Sequence, residues 1–525
     1  MEQAVEARFD EEAYLRLNPD VRMAVAAGAF RSGQEHFQRF GGSEGRLLAR
    51  PERLPRDRVV LTAAPEIRRG TVKAPVCAIE AVKLSPAGGV FLLGWVDDAL
   101  DRLERVDLYL SGWLTSFDGA SLARLGRADV EAALPGGRHA YGFLGFLFAA
   151  RGLAGGACSV VLRLKSGAEA HFLVAAEPIA DQELRKLVLG HIAGAQYLGN
   201  PYFEAVAAIA PVIGAQLMDF NKLLSRRAVA APYVERFGTS GRYSASIIVC
   251  LYGRPEYVFL QAAMFSAQAG IAAYEFIYVV NSFWIAEAVL KEARRSARIY
   301  GLAITVVVLA DNAGFGAANN AAAGYAASDR LLIVNPDVFP RQADWISAHG
   351  AVVAQRGEAQ ARLFGAPLYY DDGSLMHAGM YFELDTLPAL AGGRVGSAGL
   401  LRVEHYGKGA PPGTAAFLRP RPVPAVTGAF MSVARPWFES LGGFSRDYIF
   451  GHYEDADLCL RSLAAGCPAW LHDLRLWHLE GKGAVREPQH EGAAVVNRWL
   501  FTTSWKDIVQ KGLLGAAPEH EELHP

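Results

Sequence analysis

The sequence is short of the features that usually place a chain at once. Five cysteines (Cys77, Cys158, Cys250, Cys459 and Cys467) lie scattered through 525 residues with no paired spacing. They indicate neither a disulfide framework nor a zinc site, and a reducing compartment fits them better. Net charge is nearly absent: 52 Lys and Arg against 54 Asp and Glu leave −2. There is no basic field for nucleic acid and none for an anionic membrane. The opening residues, Met1-Glu2-Gln3-Ala4-Val5-Glu6, lack the basic and apolar regions of a signal peptide. Apolar stretches at 141–161 and 205–218 are broken by Arg151, and by Pro211 and Gly214, too often for a confident membrane span. The expectation is a cytoplasmic protein, with peripheral contact to a membrane left open.

What is present is a chain half hydrophobic and rich in glycine, able to bury cores and, by length, to form roughly three domains. Residues 1–50 read as a small helical module, with Asp10 placed to cap a helix, a turn at Asn18-Pro19-Asp20 and helix resuming over 21–29. A proline- and arginine-bearing linker covers 51–74. From 75 to 178 the pattern changes to short β-favouring runs, at 90–96, 105–110, 158–164 and 170–174, which predict a β-sandwich-like domain. Its aromatic residues Trp95, Tyr109, Trp113 and Phe117 suit core packing better than sugar stacking. Residues 179–240 read as a helical connector, 241–510 as the domain that carries the chemistry, and 511–525 as a tail.

In that domain strands alternate with helices: strands at 246–251, 275–280, 304–309 and 331–334, helices at 255–269, 285–300 and 317–327. The pattern predicts an α/β unit with parallel strands buried on both faces. A dehydrogenase also begins this way. However, the turn after the first strand, Tyr252-Gly253-Arg254-Pro255-Glu256, lacks the Gly-x-Gly-x-x-Gly that brings backbone against a pyrophosphate. In open α/β sheets ligands bind at the carboxyl ends of the strands. The third strand ends in Asp311-Asn312-Ala313-Gly314-Phe315-Gly316, and the fourth in Asn335-Pro336-Asp337, where a proline turn frees the Asp337 carboxylate.

Beyond Asp337 the alternation becomes irregular. Three clusters stand out: Gly373 to Gly379; Ala425 to Met431, followed by Leu441-Gly442-Gly443-Phe444; and His452-Tyr453-Glu454-Asp455-Ala456-Asp457-Leu458-Cys459-Leu460-Arg461. The last opens a helix that stops before Gly466 and Pro468. Asp457 and Arg461 have ordinary i,i+4 ion-pair spacing, and acidic residues suit a helix N-terminus. Glu454 and Asp455 are not needed for either purpose and are candidate functional carboxylates. His478 follows a strand-like run at 469–477 and precedes a glycine-lysine loop at 480–483.

These motifs, in this order, resemble family 2 of the glycosyltransferases, with the GT-A nucleotide-diphospho-sugar transferase fold and its Rossmann-like mixed sheet, and in particular its bacterial rhamnosyltransferase-like members. The resemblance covers about residues 243–505. The stretch from Phe9 to Arg46 is similar to a short module often attached to bacterial glycan-assembly proteins. For the catalytic domain the resemblance implies a donor site at Asn281, Asn312, Gly314, Gly316, Asn319, Asn335 and Asp337. It implies a divalent metal, Mg2+ or Mn2+, at Asp337 and His478, and catalytic roles for Asp455, as base, with Glu454 beside it. Asn335 stands where the family's Asp-x-Asp element begins, and Asn281 where relatives usually carry aspartate. The expected partners are a UDP- or dTDP-sugar donor and a glycan, lipid-linked or protein acceptor, with no nucleic acid. The expected setting is bacterial surface-polysaccharide or glycoconjugate synthesis in the cytoplasm, with peripheral contact to the inner membrane left open. A catalytically silent glycan-binding or scaffolding protein is the alternative.

Overall fold

The computed structural model describes residues 11, 15, 19–26, 28–36, 39, 75–110, 113–134, 140–149, 154–195, 209–239, 241–356, 362–385, 399–479 and 487–513. The linker at 51–74, the loop at 480–483, the tail beyond 513 and much of the module at 1–50 lie outside these residues. Within the module, Pro19 is the first residue of the helix Pro19–Ala26. Proline is tolerated there because the missing N–H would have no helical partner. The chain divides into two compact units. One comprises Met1–Val25, Phe30–Leu224 and Glu487–Trp499, the other Ala26–Ala29, Ser225–Arg486 and Leu500–Pro525.

The first unit is built on β1 (Cys77–Leu84), β2 (Gly89–Val96), β3 (Leu103–Leu110), β4 (Trp113–Asp118), β5 (Ala123–Leu125), β6 (Gly142–Phe148), β7 (Gly156–Leu164) and β8 (Glu169–Pro178). They form one hydrogen-bonded sheet in the order β4-β3-β7-β8-β1-β2-β6-β5. Val106, Leu108 and Leu110 of β3 alternate into the same apolar cluster as Cys158, Val160, Leu162 and Leu164 of β7, the period-2 pattern of a strand with one buried face. Phe117 belongs to this core, whereas Tyr109 is 44% exposed.

In the second unit the sheet begins earlier than the sequence suggests. Tyr233–Phe237, expected as the end of the helical connector, is a strand, β9. It pairs antiparallel with β12 (Ala303–Val308), Phe237 opposite Ile304. Its Tyr-Val and Phe residues favour a strand, but its pairing lies some seventy positions away and is invisible to local patterning. β10 (Ala245–Leu251), β11 (Tyr274–Val280), β12 and β13 (Arg330–Val334) run parallel, close to the predicted spans.

Their faces divide cleanly. Ile248, Ile277, Val279 and Val307 pack with Ala317, Ala318 and Ala322 of the helix Phe315–Ala323. Ile247, Val249, Phe276, Tyr278 and Val306 pack with Val258, Phe265, Val289 and Ala293, from the helices Glu256–Ser266 and Ala286–Tyr300. Burial on both sides is why the strands read as continuous apolar runs.

The C-terminal half, irregular in sequence, resolves into short strands: β14 (Val338–Pro340), β15 (Leu363–Gly365), β16 (Leu368–Tyr369), β17 (Leu375–His377), β18 (Met380–Asp385), β19 (Leu400–His405), β20 (Arg421–Val423), β21 (Phe430–Ala434), β22 (Ala469–Leu471) and β23 (Leu476–His478). Several of them widen the main sheet to nine strands, ordered β20-β22-β15-β21-β13-β10-β11-β12-β9. Others form a small sheet, β14-β23-β16-β17. The first parallel strand, β10, lies between the second and the fourth. The order of successive strands therefore reverses between the parallel neighbours β10 and β13, which is where α/β sheets open a crevice at their carboxyl ends. Among the described residues, no helix is long and apolar enough to cross a membrane.

Phe276 is fully buried, its ring 5.7 Å from Phe265 and 5.9 Å from Tyr278. Phe276→Ala should cost about 3–5 kcal/mol in urea unfolding. Leu260→Ala, at a side chain 42% exposed, should cost about 1 kcal/mol or less. Equal losses would contradict this division of core and surface.

Candidate functional site

The site grows from the turn that ends β13. Val338 N–H donates to the Asn335 carbonyl (3.1 Å). Gln261, from the helix Glu256–Ser266, donates its amide to the same carbonyl (2.8 Å) and to that of Val338 (3.3 Å). The turn is thus pinned from below. β14 then runs antiparallel to β23, with Val338 opposite His478. That register brings His478 Nε2 to 3.5 Å from Asp337 Oδ1, with both side chains more than nine-tenths buried. The separation is too long for a good hydrogen bond. It suits two neighbouring ligands of one divalent ion, each about 2.1 Å from the metal.

Among the described residues no three His, Cys, Asp or Glu converge to hold a metal alone. An ion here would take its other ligands from a bound oxyanion and water, as magnesium commonly does with substrate phosphates. Near enough to His478 to feel its charge lies an imidazole pair, His377 and His405. His377 Nε2 accepts the Gly379 N–H (3.2 Å), so its Nδ1 carries the proton facing His405 Nδ1 at 3.1 Å. Burial, then the charges of His405 and His478, hold His377 well below the usual imidazole range.

The third-strand loop is folded on itself. Asn281 Nδ2 donates to Asn312 Oδ1 (2.9 Å), and Asn281 Oδ1 accepts the Ala313 N–H (2.8 Å). Asn312 Oδ1 also accepts the Gly314 N–H (2.9 Å). Gly314 has φ +87°, and a Cβ there would lie 3.2 Å from the Phe450 carbonyl. A Cβ on Gly316 would meet that of Phe444 at 3.0 Å. These two glycines therefore serve close packing. Asn319 turns its amide back onto the Phe315 carbonyl (2.9 Å) and is buried, which braces the helix from within.

The 427–429 turn joins the two halves. The Ala429 carbonyl accepts the Asn335 N–H (2.9 Å), and the Gly428 N–H donates to Asp455 Oδ2 (2.8 Å). The other oxygen of Asp455 accepts the Ala456 N–H (2.8 Å). Asp455 is half-buried at the start of the helix Glu454–Ala464, within reach of both the turn and the Phe315 ring. Glu454 is different. It is 5% exposed, and burial first, then the charges of Asp455 and Asp457, push its carboxyl well above the usual range. Beside it the Cys250 thiol is pushed up to about 12 by burial and by the charge of Glu454. Asp457 is structural: it accepts from Trp505 Nε1 (2.9 Å) and Arg461 Nε (2.8 Å).

Sequence reading places His452 and Tyr453 in the acidic cluster but misses the backbone turn that delivers these carboxylates. Phe450, His452 and Tyr453 all have positive φ, at 61°, 80° and 75°. Non-glycine residues there cost of order 1–3 kcal/mol each, and such strain clusters at functional sites. The Phe450 carbonyl accepts the Phe315 N–H (2.5 Å), tying the turn to the glycine loop. No residue type in Phe450-Gly451-His452-Tyr453 announces this. Gln261 was legible in principle, as a polar residue in an otherwise apolar helical run.

No family model matches the chain. Among curated proteins it is similar to the uncharacterized protein y4gI of Sinorhizobium fredii (strain NBRC 101917 / NGR234), at 32% identity over 189 residues. That is 35% of this chain and 19% of the relative, so the chain spans about a fifth of the relative's length. Among solved structures it is similar to GalNAc-T7 with UDP, GalNAc and Mn2+ (13% identity, 51% of each chain, TM-score 0.36). It is also similar to the mannosyltransferase PcManGT from Pyrobaculum calidifontis in complex with GDP-Man and Mn2+ (15% identity, 62% of this chain and 87% of that one, TM-score 0.32). At TM-scores this low the overlaps carry no argument about activity.

Glu454 gives a pH dependence whose sign follows from its environment. A carboxyl raised above its ordinary value of 4.5 binds its proton more tightly folded than unfolded. Stability is therefore fully present below about pH 4.5 and falls as pH rises towards the raised value. Melting temperatures of the wild type should drop between pH 5 and pH 8 by more than those of Glu454→Gln. Parallel curves would show that Glu454 is not held protonated.

Proposed function

We propose that the chain is an inverting, metal-dependent glycosyltransferase. It moves a sugar from a UDP- or dTDP-linked donor to a hydroxyl of a glycan, lipid-linked or protein acceptor in bacterial surface-polysaccharide or glycoconjugate synthesis. One observation carries this reading. Asp337 and His478 meet at the reversal point of the parallel sheet, and the 427–429 turn ties that same strand end to Asp455.

Asp337 and His478 would hold magnesium or manganese, whose positive charge offsets the charge developing on a leaving diphosphate. Asn335 and the backbone of the loop from Asn312 to Gly316 line the donor side, and Asn281 and Asn319 keep that loop in shape. Asp455 receives the proton of the acceptor hydroxyl. Each of its oxygens accepts one backbone N–H, and a carboxylate oxygen has a second lone pair for the hydroxyl. The two N–H donors also fix its orientation, which general-base catalysis requires. Glu454, buried and with its carboxyl raised well above the usual range by that burial, is less suited than Asp455 to take up a proton. With Asp337 on the metal and Asp455 as the base, the reading is direct displacement with inversion, with no carboxylate assigned as nucleophile.

Asp455→Asn should lower transfer by ~10²–10⁴-fold while donor binding changes little. Glu454→Gln should lose far less. Asp337→Ala should abolish transfer with little change in melting temperature. The assay is transfer rate and donor affinity for all three variants. Near-normal transfer by Asp455→Asn, or collapse only in Glu454→Gln, would move the base role elsewhere.

A further inference from the structure

At the opposite end of the β14–β23 ladder from Asp337 and His478 stand two arginines. Arg341 follows β14 and Arg475 precedes β23, and the Arg341 N–H donates to the Arg475 carbonyl (3.3 Å). The Arg341 guanidinium is held between two rings, 4.2 Å from the centroids of both Tyr369 and Trp477. Arg475 lies 5.9 Å from the same Tyr369 ring. Both positive charges pull on the Tyr369 phenol against the rise that burial causes.

Neither guanidinium has a carboxylate partner among the described residues. Arg341 Nη1 is buried without a hydrogen-bond acceptor. Buried donors on a charged group are costly unless met, and two like charges on one aromatic platform repel. Stacking explains how the Arg341 plane is held; it does not supply the missing acceptor. Four strand steps separate Arg341 from Asp337, at most about 13 Å, and Trp477 is the immediate neighbour of His478.

We propose that Arg341 and Arg475 form an oxyanion subsite for the acceptor, taking a phosphate or carboxylate group that the acceptor carries. The assignment to the acceptor rests on the glycosyltransferase reading of the neighbouring site. The anion-binding chemistry rests on the arginines themselves. A guanidinium fork matches both kinds of oxyanion bidentately, and the rings beside it provide an apolar wall for the body of the molecule.

The test is calorimetric titration of the full chain with inorganic phosphate and, separately, with glucuronate. Each is run in excess chelator so that a metal at Asp337 contributes nothing. The wild type should bind at least one probe at millimolar concentration. Arg341→Lys, which keeps the charge and loses the fork, and Arg475→Gln, which leaves the two-ring stack in place, should each weaken binding about tenfold or more. Preference for phosphate would indicate a phosphorylated or lipid-phosphate acceptor, and preference for glucuronate an acidic sugar. Absence of binding by the wild type, or binding that survives both substitutions in chains of unchanged melting temperature, overturns the subsite. A parallel titration with UDP and manganese separates the two claims. If it fails, the donor reading fails while the anion result stands; if it succeeds and the anions do not bind, only the subsite falls.

Discussion

The register between β14 and β23 is the constraint on which the site depends. Val338 opposite His478 is what sets the Asp337 carboxylate beside an imidazole far away in sequence. A slip of one residue would turn every side chain of the ladder to its other face. It would part Asp337 from His478 and carry Trp477 away from Arg341. The ladder is only three residues long, so its register is secured from outside. Gln261 grips the carbonyls of Asn335 and Val338, Leu479 N–H donates to the Asp337 carbonyl, and β16 pairs with the far side of β23.

A second principle operates at the start of the helix Glu454–Ala464. Three acidic residues occupy its first turn, and their surroundings give each a different state. Asp457 is neutralised by Arg461. Asp455 is oriented by two backbone N–H groups. The Glu454 carboxyl is raised well above the usual range, chiefly by burial. The strained turn at 450–453 aims this helix start at the glycine loop and at Gly428.

Much of this was legible in the sequence. Runs such as Ile304 to Val308 and Leu331 to Val334 announce strands buried on both faces, and those strands appear within a residue or two of the expected bounds. Asp457 and Arg461 form the ion pair their spacing predicts. What escaped depends on contacts between distant residues. β9 looks like the tail of a helix until β12 is beside it. β14, β16 and β17 are two or three residues long, too short for periodicity to show, and the strand-like run at 469–477 divides into two short strands, β22 and β23. The positive φ angles at Phe450, His452 and Tyr453 are imposed by tertiary packing on residues with no preference for them. The arginine pair consists of two isolated charges in sequence, meaningful only when a ladder sets them side by side.

The central claim is that the Asp337–His478 pair and the neighbouring loops bind a nucleoside diphosphate together with a divalent ion. The most direct measurement is the melting temperature of the full chain with UDP, dTDP or GDP, each with and without manganese. The account predicts a rise with one of the nucleotides that needs manganese and disappears in chelator, because binding to the folded state alone raises stability. Manganese and all three nucleotides leaving the melting temperature unchanged, alone and in combination, would contradict it.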